Sequence, residues 1–217
     1  MTRALVMGGS RGIGRAIADA LSSTGADVYA ASRKDVDTSD PDSVRRFVDR
    51  HNYGLDILVL NTGGPPPKMF PEVTEDDWLK YHHQLFLGFC TILKNIHLND
   101  GGYVFLISSS VIREPDPRLV MSAAYRAAFA EVLKVQSMTE YARRNISCIT
   151  IAPGPINTDR TRELVDNIEE FQKRLPMGRL GEPEEIGRFV TAVVERQIKY
   201  LSGVVINFDG AGSRHVF

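Results

Sequence analysis

What most constrains this chain is a turn of four glycines set between an apolar run and a helical pattern, all within the first twenty residues. Ala4 to Met7 is apolar, glycines follow at 8, 9, 12 and 14, and helical spacing begins at once. That order reads as a strand, a tight turn and the start of a helix. Glycines admit positive φ and let the backbone lie against a ligand with no Cβ between them. The first turn of the helix offers unpaired N–H groups and the positive end of its dipole, which suits a pyrophosphate. Arg11 adds a cation beside it. Such a turn alone is a weak signal, because an ordinary strand-to-helix loop has the same outline. Here the spacing and the strand–turn–helix context agree.

The rest of the chain repeats the alternation. Ala26 to Ala31 reads as a second strand, and Asp40-Pro41 opens a helix with Asp at the N-cap and Pro at the first helical position. Val44, Phe47, Val48 and His51 give that helix one buried face. Leu55 to Leu60 is almost wholly apolar, as a parallel strand covered on both faces requires. It stops at Asn61-Thr62-Gly63-Gly64, and three prolines follow that no helix interior accepts. Helical spacing runs from Thr74 to about Asn95, a strand from Gly102 to Ile107, and a helix from Leu119 to about Arg143. Strand Ile146 to Ile151, helix Glu182 to Val194 and strand Val204 to Phe208 complete the pattern. The fold class is α/β: one domain over 1–217, a Rossmann-like, doubly wound parallel sheet flanked by helices. Ligands in such sheets lie at the carboxyl ends of the strands. The glycine turn, Ser32-Arg33, Asn61 to Gly63, Ser108 to Ser110 and Pro153-Gly154 all fall at those ends.

Composition narrows the partners. A formal net charge of −1 argues against a nucleic-acid surface, which needs clustered excess cation. No apolar run approaches the ~20 residues of a membrane span. Met1 leads directly into the first strand, so no signal peptide is expected. Cys90 and Cys148 lack metal-ligand spacing and read as reduced core thiols of a cytoplasmic protein; no metal site is expected.

With these residues in view, the chain resembles the short-chain dehydrogenase/reductase family over almost its full length. The resemblance rests on Gly-Gly-Ser-Arg-Gly-Ile-Gly (8–14), Asn-Thr-Gly-Gly (61–64), Ile-Ser-Ser (107–109) and Ala-Pro-Gly-Pro-Ile-Asn-Thr (152–158). Gly-Arg-Leu-Gly-Glu-Pro-Glu-Glu-Ile (178–186) and Asp-Gly-Ala-Gly (209–212) extend it to the carboxyl end. The family has a further helix and strand between the positions of Arg33 and Asp40, so a sheet trimmed after its second strand is expected. The resemblance implies an NAD(P) cofactor cradled by Gly8, Ser10, Arg11, Gly12, Ile13 and Gly14. Its adenine end would lie near Ser32, Arg33, Asp37 and Thr38, its middle near Asn61, Thr62 and Gly63, and its nicotinamide near Pro153, Gly154, Ile156 and Thr158. Relatives that use NAD carry an acidic residue where this chain has Ser32. A carboxylate there repels a 2′-phosphate, whereas Arg11 and Arg33 can grip one, so NADP(H) is expected over NAD(H). Solvated surface arginines are the alternative. Asp37 fits either an adenine contact or a helix-capping turn, and Thr158 either a nicotinamide contact or a cap.

The family's chemistry uses Asn, Ser, Tyr and Lys, with Tyr and Lys four apart on one helical face. The Tyr carries the proton; the Lys holds the nicotinamide ribose and lowers the Tyr pKa from its ordinary ~10. Here the serine is Ser109. Counting thirteen residues onward gives Ser122 for the Tyr and Arg126 for the Lys, and the asparagine position, counted from Trp78, falls on Leu85. Arg126 can hold ribose hydroxyls, but it cannot relay a proton while its pKa stays above ~12. Tyr125 is turned about 100° from Arg126 around the helix, so it reaches the crevice only through a bulge and otherwise packs between helices. His82 and His83 are the other candidate donors, with core-edge packing as their alternative.

The resemblance implies hydride transfer between nicotinamide and a carbonyl or alcohol, with Ser109 polarising the substrate oxygen. The competing reading is a protein that binds NADP(H) as a sensor or regulatory module. The substrate pocket is expected between Gly64–Pro71 and Val111–Leu119, with a lid between Thr158 and Leu175. Relatives imply a homodimer or homotetramer through the helices near 75–95 and 119–143 and the last strand.

Overall fold

The apolar runs become parallel strands, and the amphipathic stretches between them become crossover helices. The computed structural model describes residues 1–215. In chain order these are β1 (Arg3–Met7), α1 (Gly12–Ser23), β2 (Asp27–Ala31), α2 (Pro41–Arg50), β3 (Leu55–Leu60), α3 (Glu75–His82) and α4 (Gly88–Asn95). Then follow β4 (Leu98–Ile107), α5 (Val120–Met138), α6 (Glu140–Arg143), β5 (Ser147–Pro153), α7 (Asp159–Leu164), α8 (Ile168–Lys173), α9 (Pro183–Glu195) and β6 (Val204–Phe208). The strands form one parallel sheet in the order β2-β1-β3-β4-β5-β6. This is the Rossmann-like sheet expected from the alternation, and it ends at β2 with no strand beyond.

The period of two along each strand divides the core. Leu5 and Met7, Leu58 and Leu60, and Val104 and Leu106 point to one face, where they meet Phe47, Phe89 and Phe129 of α2, α4 and α5. Ala4 and Val6, Ile57 and Val59, and Phe105 and Ile107 point to the other, against Ile17 of α1 and Ile186 and Val190 of α9. Burial on both faces is why these strands read as unbroken apolar runs. The chain goes from β1 out to the edge strand β2, then returns to β3 on the far side of β1. The crevice between the ends of β1 and β3 is therefore the topological switch point, where such sheets hold ligands.

Most boundaries fall where the residues place them. Asp40 is the N-cap of α2, accepting from the Asp42 N–H at 2.9 Å, with Pro41 at the first helical position. Three expectations shift. The helix expected from Thr74 to Asn95 contains one π-helical turn, His83–Leu87, between α3 and α4. The helix expected to reach Arg143 breaks at Thr139, whose hydroxyl donates back to the Val135 carbonyl at 2.9 Å and competes with the helical bond. Strand β4 starts at Leu98 rather than Gly102, because Leu98 pairs with Leu55 before the register shifts and Asn99 donates to Asp56 at 2.8 Å. Its polar residues hid that start.

Candidate active site

The cradle at the amino end is shaped by close approach. An atom added as Cβ on Gly14 would lie 2.2 Å from the Gly8 carbonyl oxygen, so only glycine lets α1 pack that near the end of β1. Gly8 has φ +59°, and its carbonyl accepts from the Asn61 side-chain amide at 3.3 Å. Asn61 thus spans the switch point from the end of β3. The N-cap of α1 is Arg11, extended and without a side-chain cap, and the first turn of the helix carries no acidic residue. Its N–H groups are left for an anion from outside. Arg11 is exposed and pairs with no carboxylate among the described residues. Ser10 is exposed beside it, while Gly12 has φ +54° and Ile13 packs against the core. This cradle fits a dinucleotide diphosphate.

At the end of β2, side chains are tied to one another. Ser32 donates its N–H and hydroxyl to Asp35 at 2.7 and 2.6 Å, and these bonds hold the Asp35 carboxyl below its usual range. Asp35 escaped sequence reasoning; its signal was the three-residue spacing from Ser32. Arg33 lies along Asp37 with two bonds of 3.0 and 2.9 Å. Asp37 also accepts from the Ser39 N–H and hydroxyl, as a turn leading into α2 would have it. Partial burial works against the Asp37 carboxylate, but the bonds from Ser39 and Arg33 outweigh it and keep the group ionised. Thr38 is buried, its hydroxyl 3.4 Å from that of Thr62.

Strand β5 ends in Pro153, paired with Phe208 of β6, and Gly154 donates to the Phe208 carbonyl at 3.1 Å. Ile156 is buried, and the loop it anchors swings Thr158 back toward the cradle. The Thr158 methyl would lie 3.4 Å from a Cβ on Gly12, and its hydroxyl caps α7 by accepting from Thr161 N–H at 3.4 Å. The cap is therefore formed in this structure.

At the ends of β3 and β4 the decisive residue is Arg126. It is buried on α5, and its guanidinium donates to the carbonyls of Ile107 at 3.0 Å, Ser108 at 3.5 Å and Thr62 at 3.1 Å. Its Nε–H donates to the hydroxyl of Ser122, one turn earlier, at 3.2 Å. No carboxylate pairs with it among the described residues. Burial and the nearby Arg160 cation pull its pKa down to about 10. The group remains cationic at neutral pH, as expected of a residue that cannot relay a proton. Ser109 caps a short 3-10 turn, Ser110–Ile112, which keeps it at the end of β4.

The other candidates point elsewhere. Tyr125 lies between α3 and α5, its ring edge-on to Trp78 at 5.7 Å and its hydroxyl donated to the Trp78 carbonyl at 3.0 Å. No bulge turns it into the crevice, and burial raises its pKa, the wrong direction for a proton donor near neutrality. His82 stacks on Phe86 at 5.5 Å and approaches Tyr125 at 5.6 Å; His83 lies beside it at 5.7 Å. Leu85 is buried with Tyr81 and Met121, inside the π-helical turn.

Two residues of the crevice, Gln84 and Arg160, were missed, and a third, Ser108, was read only as part of a strand end. Gln84, next to Leu85, donates its side-chain amide to the Gly63 carbonyl at 2.8 Å. Arg160 on α7 donates to the Pro65 carbonyl. Ser108 is buried, and its hydroxyl finds no partner among the described residues. The π turn that redirects Gln84 has no sequence signature, and Arg160 reads as an ordinary helix cation until the loop after β5 folds over. Between these residues and the surface, Gly64–Pro71 and Val111–Leu119 do meet: Lys68 bridges Leu119, and its N–H donates to the Arg118 carbonyl at 2.8 Å. Cys148 is buried with its thiol pushed up to about 12, and Cys90 is half-buried; both are free. No metal-ligating cluster occurs among the described residues.

Known proteins share the family profile and the fold. The profile of a family described as "Enoyl-(Acyl carrier protein) reductase" matches residues 8–212. The 3-oxoacyl-[acyl-carrier-protein] reductase FabG of Chlamydia muridarum is 30% identical over 237 residues, covering 95% of each chain. Among solved structures, a short-chain dehydrogenase/reductase from Serratia marcescens superposes with a TM-score of 0.87 at 28% identity, covering 98% of both chains. A short chain dehydrogenase from Burkholderia cenocepacia, in complex with NADP, gives 0.87 at 28% identity, with 97% of both chains covered. Glycine cradle, switch-point asparagine and strand-end serine thus sit on a matched fold, and the chain belongs to the short-chain dehydrogenase/reductase family of oxidoreductases.

Proposed function

We propose that the protein is an NADP(H)-dependent oxidoreductase acting on a carbonyl/alcohol pair, with an atypical way of handling the proton. The observation that carries the reading is Arg126, buried and cationic at the strand ends, bonded to Ser122 and to the carbonyls of Thr62 and Ile107. When bound, the nicotinamide cofactor supplies or accepts the hydride. Arg126 would hold the nicotinamide ribose from the position where the resemblance puts the family's Lys, and its field would stabilise negative charge on the substrate oxygen. Ser109 donates a hydrogen bond to that oxygen. Ser122 accepts from the Arg126 Nε–H and keeps its own O–H to donate. In reduction the carbonyl carbon gains hydride and the oxygen gains a proton, which comes from solvent through these hydroxyls. Tyr125, with its hydroxyl donated to Trp78, takes no part.

Preference for NADP(H) rests on Arg11, which is free, and on Arg33, which must turn from Asp37 to meet a 2′-phosphate. The NADP-bound Burkholderia relative supports it. NAD(H) remains the second cofactor to compare. A homodimer or homotetramer draws support from Leu79, Val135 and Met138, which are exposed on α3 and α5. A single domain and a cytoplasmic setting, with both thiols reduced, complete the proposal. No helix among the described residues is long and apolar enough to cross a membrane.

The test is steady-state oxidation of NADPH over a panel of carbonyl compounds, alongside calorimetric binding of NADPH and NADH. Turnover that Ser109→Ala reduces supports the enzyme. The absence of a group that titrates near neutrality at Ser109, Ser122 or Arg126 favours a second reading, a cofactor-binding module without turnover. Micromolar NADPH binding with no substrate oxidising it would establish that one.

A further inference from the structure

Two guanidiniums from different elements flank Gly64 at the crevice mouth. An ideal Cβ on Gly64 would lie 3.8 Å from Arg160 Nη2 and 3.9 Å from Arg126 Nη2. Arg126 comes from α5 and has no carboxylate partner among the described residues; Arg160 comes from α7 and has only the exposed Glu163, at 3.3 Å. Two like charges this near, one of them buried, raise the energy of the empty crevice unless an anion joins them. Burial first, and then the nearby Arg160 cation, make Arg126 hold its proton less tightly. Each guanidinium also keeps N–H capacity. Arg160 Nη2 spends one hydrogen on Pro65 and keeps its second for a ligand, whereas the one hydrogen left on Arg126 Nη2, after Thr62, is the one that would hold the ribose, so Arg126 acts on the ligand through its charge.

The cofactor diphosphate does not claim this position, because its cradle lies at Gly8–Gly14 with the first turn of α1 and Arg11. Arg160 instead leans on Pro65, in the wall expected to face substrate. From this geometry we infer that the substrate carries a carboxylate, taken by Arg160 with Arg126 behind it, so that the enzyme acts on oxo acids rather than on neutral carbonyls. Planar guanidinium matches planar carboxylate in charge and fork geometry. The inference rests on the hydride-transfer reading of the same crevice.

Binding separates the two ideas. The full chain, with and without saturating NADP+, is titrated calorimetrically with 2-oxohexanoate, 4-oxohexanoate and 5-oxohexanoate, each against its methyl ester. At least one acid should bind tenfold or more tightly than its ester. Arg160→Gln should erase that preference, and Arg160→Lys should retain part of it. Glu163→Gln, an exposed change that releases Arg160, should tighten the acid several-fold and keeps the test alive if the arginine variants unfold. Equal binding of acid and ester in every pair overturns the inference, as does an Arg160→Gln variant that weakens NADPH instead of the acid. Acid binding without NADPH oxidation supports the anion site while sinking the oxidoreductase reading. Oxidation of NADPH by neutral ketones with no preference for acids does the reverse.

Discussion

The two halves of the crevice are built on different principles. The diphosphate half is made of backbone: Gly8 and Gly14 in contact, the open end of α1, and Asn61 holding the Gly8 carbonyl. The nicotinamide half is made of side chains: Ser122, Arg126, Gln84 and Arg160, bonded to backbone carbonyls or to one another, and Ser109, which accepts from the Val111 N–H. A cradle of glycines tolerates almost no change, because a Cβ on Gly8, Gly9 or Gly14 collides and Gly12 holds a positive φ. A cluster of side chains can exchange residue types while the backbone beneath it stays put. We propose that this difference underlies a sequence with the glycine pattern at residues 8–14 and, by count, Leu85, Ser122 and Arg126 at the positions the resemblance assigns to Asn, Tyr and Lys.

The contrast breaks most easily at Gly14. Gly14→Val puts a branched side chain where even a Cβ meets the Gly8 carbonyl at 2.2 Å, so α1 must shift. NADPH affinity should fall by two orders of magnitude or more, read by calorimetry, and overpacking should lower stability by about 1–3 kcal/mol. Unchanged affinity would show that the turn is no cradle. Next in size is Ser109→Ala. Loss of a donor to developing negative charge costs on the order of 10²-fold in kcat, so NADPH binding should persist while turnover drops by about that factor. A drop in binding equal to that in turnover would merge the halves that the structure separates.

How much of this was legible in the sequence follows the same division. Glycines, prolines and apolar runs announce backbone, so the alternation of parallel strands and helices, the Asp40-Pro41 cap and the glycine turn were readable. Side-chain destinations depend on tertiary context. Nothing in the string Ala-Ala-Tyr-Arg says that Tyr125 spends its hydroxyl on Trp78 while Arg126 crosses to Thr62, because that is decided by α3 packing on α5. Gln84 was hidden by the π turn, which rotates it relative to an ordinary helix. Asp35 was passed over because Asp37 held the matching position, although Asp35 is the residue that binds Ser32.

Smaller effects sharpen the comparison. Arg33→Ser should cut the NADPH-over-NADH preference by roughly tenfold, as the loss of ~1.4 kcal/mol of differential binding implies, and should leave kcat with saturating cofactor unchanged. An unaltered preference would leave Arg11 as the sole phosphate contact. Tyr125→Phe should change kcat less than twofold and cost about 0.5–1.5 kcal/mol of stability, the worth of one hydrogen bond to Trp78, by denaturant unfolding. A large loss of turnover would return the tyrosine to the chemistry.

The least effect concerns the wall that closes the nicotinamide half. Asp77 accepts from Lys68 at 2.6 Å and from the Thr74 N–H and hydroxyl at 3.1 and 3.0 Å, joining the loop after Gly64 to the start of α3. The Lys68 bond, then those from Thr74, lower its pKa from 3.8 to about 2. Because the folded value lies below the unfolded one, the stabilisation is complete above pH 3.8 and disappears as pH falls toward about 2. Asp77→Asn should therefore lower Tm slightly at pH 7, with the gap to the natural protein closing as both are acidified through that window. The pair is exposed enough for salt to weaken it, so the gap should also narrow at high ionic strength. With the wall loosened, KM for the carbonyl compound should rise modestly while NADPH affinity holds, since the glycine cradle does not lean on Lys68. A Tm gap that stays constant down to pH 2.5, or a parallel loss of NADPH affinity, would mean that the two halves of the crevice are held by one set of contacts after all.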